Sequence, residues 1–208
     1  MFRAIDTANG CSTIEDPRLR DTEECLLYVE GAFLKPQAIV EKLRALAALT
    51  RRSIVGLIPP HSTPQGRRYW ARVDISKVDR SKRVQTNLAQ LDASANCVSD
   101  YVQTLRPLAV IGYSQGANVV LRAQMSSPQS FPPIIAICPG VIEGLTYKKN
   151  TNVSMIGATE DQFIDETLRR ILADMLGVHE HVIHGHTHDW SETMAKAAAD
   201  MFRGISTN

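Results

Sequence analysis

Short apolar runs alternate with amphipathic periods along most of the chain. "CLLYVEG" (25–31) predicts a buried strand closed by Gly31. In "PQAIVEKLRALAAL" (36–49), Ile39, Leu43 and Leu46 share one helical face, with Glu41, Lys42 and Arg44 on another. "SIVGLI" (53–58) predicts the next strand, stopped by Pro59 and Pro60. Val84, Leu88, Leu91, Ala95, Val98, Val102 and Leu105 then advance by alternating steps of four and three, which predicts a long amphipathic helix. "LAVIG" (108–112) predicts a strand and "QGANVVLRAQM" (115–125) a helix. "PIIAIC" (133–138), "VSMIGA" (153–158) and "HVIH" (181–184) predict further strands, with helices over 166–175 and 191–203.

Strands that alternate with helices imply an α/β fold, a mostly parallel sheet with helices on both faces. In such sheets chemistry gathers just beyond the carboxyl ends of the strands. Residues 1–24 are polar and turn-rich and are expected as an N-terminal arm, leaving 25–208 as a single domain. A length of 208 residues, with 44% hydrophobic and 22% charged, is ordinary for a soluble globular protein. The net charge of +1 supports neither a nucleic-acid nor a membrane-surface partner. No apolar run approaches the roughly 18 residues of a membrane span, and the amino end lacks the apolar core of a signal peptide, so a cytoplasmic location is expected. Cys11, Cys25, Cys97 and Cys138 show no zinc-knuckle or redox spacing, and a disulfide framework is not expected. Cys25 and Cys138 sit in apolar runs as buried thiols.

The chemistry concentrates at "LAVIGYSQGANVVL" (108–121), where Ser114 stands between Gly112 and Gly116 at a strand-to-helix junction. A serine hydroxyl needs a neighbouring base and must stand clear of its own backbone, and a sharp turn flanked by glycines provides that clearance. The N–H after it, on Gln115, would point at a developing oxyanion from a helix amino terminus. The same pattern also suits a glycine-lined packing turn with Ser114 as N-cap. "GYSQGA" resembles the elbow of the α/β-hydrolase superfamily, most closely its phospholipase/carboxylesterase branch, which includes the acyl-protein thioesterases. The elbow is similar in cutinases too, but their cysteine pattern is absent.

That resemblance implies the α/β-hydrolase fold and a triad in the order Ser, acid, His. The acid falls in "VSMIGATEDQFID", where Asp161-Gln162-Phe163-Ile164 is similar to the family's D-x-x-I, while Glu160 matches the offset from Gly157. Asp161 is favoured and Glu160 is next; Asp165 is the better helix N-cap. The base falls in "VHEHVIHGHTHDWSETM". "HDW" at His188 resembles related esterases and lies just before a helix begun by Ser191 and Glu192; His186 is the alternative. The second oxyanion donor is expected at Ala32, after Glu30-Gly31, where the family has His-Gly. Glu30 either turns to solvent beside the Gly31 turn or brings a negative charge toward the oxyanion.

The implied function is hydrolysis of a small-molecule carboxylic ester or thioester through an acyl-enzyme, with no cofactor or metal required. Two alternatives stand beside it. "HVIHGHTH" is similar to the last metal-binding motif of calcineurin-like metallophosphoesterases, and alternating His184, His186 and His188 would share one face of an extended strand. The D-x-H, G-D and G-N-H partners of that motif are missing, so a metal-dependent hydrolase would rest on the histidines alone. The Glu30 departure also fits a non-catalytic binding protein of the same fold. The basic segment with Arg67, Arg68, Arg72, Lys77, Arg80, Lys82 and Arg83 is either a solvated loop or a flap for an anionic substrate. Tyr69 and Trp70 would line an acyl pocket or anchor that loop.

Overall fold

The computed structural model describes residues 3–6, 11–15, 24–33, 36–73, 79, 81–126, 131–150 and 152–206. Its strands are β1 (Arg3–Asp6), β2 (Ser12–Glu15), β3 (Cys25–Val29), β4 (Ser53–Ile58), β5 (His61–Ser62), β6 (Arg68–Tyr69), β7 (Ala109–Tyr113), β8 (Ile134–Ile137), β9 (Val153–Ala158) and β10 (Glu180–Ile183). Its helices are α1 (Pro36–Thr50), α2 (Leu88–Leu105), α3 (Gln115–Ser126), α4 (Glu166–Leu176) and α5 (Glu192–Ser206). An eight-stranded sheet runs β1-β2-β4-β3-β7-β8-β9-β10, parallel from β4 through β10, with β5 and β6 forming a separate small hairpin.

The central strands are apolar at every position because both of their faces are covered. Alternate residues point to opposite sides. Leu27, Val29, Val110, Ile134 and Ala136 pack under α2, α3 and α4. Leu26, Tyr28, Ile111, Ile135 and Ile137 pack under α1 and α5. The parallel order brings the ends of β3, β7, β9 and β10 to one edge of the sheet, where the functional loops meet.

Three expectations are corrected here. The long helix starts at Leu88, not Val84, because Asn87 caps it by accepting the Gln90 N–H, while Val84 pairs with Ile142 in a parallel bridge. Within the expected arm, β1 and β2 extend the sheet antiparallel to β4, and Ile14 is buried; residues 7–10 and 16–23 lie outside the described residues. Cys11 and Cys97 form a disulfide that ties the segment before β2 to α2. Spacing could not reveal this bond, since its partners are 86 residues apart. Cys25 and Cys138 are free and buried. Among the described residues, no helix is long and apolar enough to cross a membrane.

A crosslink closing a loop of 86 residues removes much of the entropy of the unfolded chain. Replacing Cys11 and Cys97 by serine is expected to cost about 2–5 kcal/mol, read as a lower urea midpoint. An unchanged midpoint would exclude a stabilising bond.

Candidate active site

Ser114 sits where β7 ends and α3 begins, with φ 53°, a left-handed conformation that a side chain rarely adopts. That geometry costs about 1–2 kcal/mol for an L-residue, so its surroundings must hold it. The flanking glycines show how. A Cβ on Gly116 would lie 2.3 Å from the carbonyl oxygens of both Val29 and Glu30, and one on Gly112 would lie 2.6 Å from the Ala117 Cα. Helix α3 therefore meets the end of β3 backbone to backbone. Gly31 completes the fit, since a Cβ there would lie 3.2 Å from the Ser114 Cβ.

Two loops bring the remaining groups to the serine. His188 Nε2 lies 2.7 Å from Ser114 Oγ, and His188 Nδ1 lies 2.8 Å from Asp161 Oδ2. A carboxylate only accepts, so Nδ1 carries the proton and Nε2 is left to accept from the serine hydroxyl. The other Asp161 oxygen accepts the N–H groups of Phe163 and Ile164 at 2.8 and 3.1 Å. Burial by itself would raise the Asp161 carboxyl. The His188 contact and these two N–H groups outweigh it and hold the carboxyl below its ordinary 3.8.

The His188 loop is pinned from several sides. Its carbonyl accepts the Tyr113 hydroxyl at 2.7 Å, its N–H donates to Gln162 Oε1 at 3.1 Å, and the Phe163 ring packs edge-on at 4.9 Å. Further back, Gly185 N–H donates to Thr159 Oγ1 at 2.9 Å and Glu160 N–H donates to the His186 carbonyl at 2.9 Å. The alternatives are thereby separated. Glu160 and His184 are exposed, and only the backbone of His186 joins the network. Strand β10 stops at Ile183 and Gly185 turns the chain with φ 69°, so His184, His186 and His188 do not share an extended face. Among the described residues, the His, Cys and carboxylate groups close enough to share an ion are Cys138, Asp161 and His188. That set lies inside the serine network, with the Cys138 thiol against Asp161. Burial first, and then the Asp161 charge, push this thiol well above its ordinary value.

Glu30 does neither of the things expected of it. It is fully buried, and its Oε1 accepts from Lys42 Nζ at 2.9 Å, Gly31 N–H at 2.7 Å and Tyr28 hydroxyl at 3.2 Å. Lys42, expected on the polar face of α1, turns inward instead and stands over the Tyr113 ring at 4.4 Å. Burial lowers the Lys42 pKa, and the Glu30 charge partly restores it. The signal was faint: Lys42 follows Ile39 by three and precedes Leu46 by four, which puts it at the margin of the buried stripe.

The Gln115 side chain was also missed. Its Oε1 accepts from Trp70 N–H at 2.8 Å and its Nε2 donates to the Ala71 carbonyl at 2.7 Å. Trp70 is buried and donates its indole N–H to the Glu30 carbonyl at 2.6 Å, so it anchors the loop, while Tyr69 stacks on Phe33. Of the basic segment, Arg67 reaches the site, Arg68 bonds the Pro60 carbonyl, and Lys82 pairs with Asp79; Lys77 and Arg80 lie outside the described residues. A cavity of about 360 Å³ opens over Ser114, walled by Ala32, Gln115, Val84, Leu91, Ile142 and Ile164, among others.

This architecture is the α/β-hydrolase fold. No family model and no curated protein matches the sequence. Among solved structures, the chain is similar to a carboxylesterase from Mesorhizobium loti, with TM-score 0.73 and 16% identity over 98% of this chain and 99% of that one. It is similar to esterase PE8, with TM-score 0.68 and 16% identity over 88% and 93%. A Bacillus cereus carboxylesterase aligns with TM-score 0.66 and 14% identity over 99% and 95%. At such identities the likeness establishes the fold.

Two outcomes follow from these contacts. Lys42→Met leaves the Glu30 carboxylate buried without its cation and is expected to cost about 3–5 kcal/mol in urea unfolding. Adding Glu30→Leu should restore much of the loss, and a full loss in both would exclude the pairing. For Asp161 the folded carboxyl titrates below its unfolded value, so its stabilisation is complete above about pH 4 and disappears as pH falls through the folded value. In thermal melts, the stability difference between wild type and Asp161→Asn should shrink below about pH 4. A difference independent of pH would refute the charge contribution.

Proposed function

We propose that the protein is a serine-dependent hydrolase of small-molecule carboxylic esters or thioesters. The observation that carries this is the unbroken contact chain from Ser114 Oγ through His188 to Asp161, at 2.7 and 2.8 Å, opening onto one cavity. The names of the structurally similar esterases agree with it, as fold-level support only.

In this mechanism His188 Nε2 takes the Ser114 proton as Oγ attacks the substrate carbonyl. Asp161 stabilises the imidazolium and keeps its proton on Nδ1. The N–H of Gln115, in the first turn of α3 where backbone donors have no intrahelical acceptor, and that of Ala32 would receive the oxyanion. The tetrahedral intermediate collapses, His188 protonates the leaving alkoxide or thiolate, and an acyl-Ser114 ester remains. Water, deprotonated by His188, then attacks that ester; the acid departs and the serine regains its proton. No step calls for a metal or cofactor.

Glu30, at the mouth of the same loop, does not oppose the oxyanion. Its charge is directed to Lys42 and to the Gly31 N–H, behind Ala32. That pairing supports the catalytic reading over a non-catalytic member of the fold.

The test is intact-mass detection of a fluorophosphonate adduct on the folded protein. Wild type and His186→Ala should each gain one adduct with or without chelator, and Ser114→Ala should gain none. His188→Ala should label at least about 10⁴-fold more slowly. A folded wild type that takes no adduct would overturn the proposal.

A further inference from the structure

A buried ammonium group sits between aromatic rings, next to the turn that carries Ser114. Lys42 Nζ stands 4.4 Å from the centre of the Tyr113 ring and 5.3 Å from that of Trp190. Those two rings meet edge to face at 5.4 Å, and Tyr28 packs edge-on against Trp190 at 5.6 Å. Glu30 Oε1, 2.9 Å from the ammonium, closes the enclosure. Lys42 is only 8% exposed. The residues that wall the cavity do not include Lys42, Glu30 or Trp190, so any influence of these three on a substrate passes through other groups.

The groups around the ammonium hold two separate loops. Glu30 Oε1 takes the Gly31 N–H at 2.7 Å, beside Ala32. Tyr113 gives its hydroxyl to the His188 carbonyl at 2.7 Å, and Trp190 lies two residues past His188 in the same loop. Asp189, between them, adds a favourable charge to the ammonium. Lys42 touches both sets. Tyr28 does so too, through a longer bond of 3.2 Å to Glu30, but it carries no charge. A buried ion pair adds little net stability over apolar packing, so apolar side chains at both positions would serve the core equally well. They would not serve the loops. A leucine at position 30 cannot accept the Gly31 N–H, and a methionine at position 42 has no charge to hold the faces of two rings.

Resting on the serine-hydrolase reading above, we propose that Lys42 is a positioning residue for hydrolysis: paired with Glu30, it fixes the Ala32 loop and the His188 loop relative to each other. A displacement of about 1 Å at such a site lowers a rate about a hundredfold, even when it originates away from the reacting atoms.

The test separates this role from plain stability. Lys42→Met combined with Glu30→Leu removes the pair without leaving a charge buried, and its urea midpoint should return close to that of wild type. Fluorophosphonate labelling is then followed over a range of probe concentrations on folded protein. The maximal labelling rate of the double variant should be at least about tenfold below wild type, with the half-saturating concentration unchanged because the cavity wall is intact. A double variant of restored midpoint that labels within about tenfold of wild type would overturn the proposal and leave the serine mechanism in place. A loss confined to the half-saturating concentration would overturn it as well. Where the midpoint is not restored, the comparison passes to Lys42→Arg and Lys42→Met, both assayed while folded. The arginine keeps the cation and should label at least about tenfold faster than the methionine, and equal rates would overturn the proposal. A folded wild type that takes no label would overturn this proposal and the serine reading together.

Discussion

The site depends on one close backbone approach, between the start of α3 and the end of β3. Gly116 permits it, since any Cβ there would stand 2.3 Å from the Val29 and Glu30 carbonyl oxygens. At that junction Ser114 takes φ 53°. The same approach brings Gly31 against Ser114 and sets the Ala32 loop beside the helix amino terminus. The geometry of Ser114 and that of the Ala32 loop are thus one constraint rather than two. A larger residue at Gly116 would disturb both together.

Around that contact the protein uses buried polar groups as struts for the loops at the strand ends. Glu30 and Lys42 brace the β3 loop from behind, and the Gln115 side chain holds the Trp70 segment by two backbone groups. Arg169 and Glu180 do the same at β9, where Arg169 also donates to the Ala158 carbonyl at the strand's last residue. A Cβ at Gly157 would lie 1.8 Å from Glu180 Oε1, so any larger residue there would push this pair aside. Burial raises the Glu180 carboxyl, and the Arg169 charge opposes that rise. Such pairs add little net stability over apolar packing. Their value is directional: each fixes a loop whose position decides whether Ser114, His188 and Asp161 meet.

The parts of this arrangement that were legible in the sequence are those with a local cause. A strand covered on both faces must be apolar throughout, so β3, β7 and β8 stand out as runs. The elbow is local too, because the glycines that a sharp turn needs are next to the serine. The carboxylate and the histidine that meet Ser114 were less distinct. Glu160 and Asp161 are neighbours of like chemistry, and what separates them is a pair of N–H groups on Phe163 and Ile164 that exist only once the turn has formed. His186 and His188 differ in the same way, by the turn at Gly185. The remaining features depend on distant partners. The Cys11–Cys97 bond, the inward Lys42 and the pairing of β2 with β4 each join segments whose meeting no local pattern records.

A tension between stability and use runs through the molecule and marks where chemistry is to be sought. Ser114 is held in a costly conformation, and among the described residues Glu30 Oε2 and Asn118 Oδ1 are buried without a hydrogen-bond partner. Local propensity and packing alone would remove all three. The first suits the nucleophile role proposed for Ser114. The second lies behind the Ala32 loop, where the same carboxylate holds the Gly31 N–H and so contributes to loop position. The third belongs to a residue that lines the cavity, although the oxygen itself is closed off from it. These three costs gather at the ends of β3 and β7 and in the first turns of α3, so the packing that local propensity would relax is the packing that shapes the cavity.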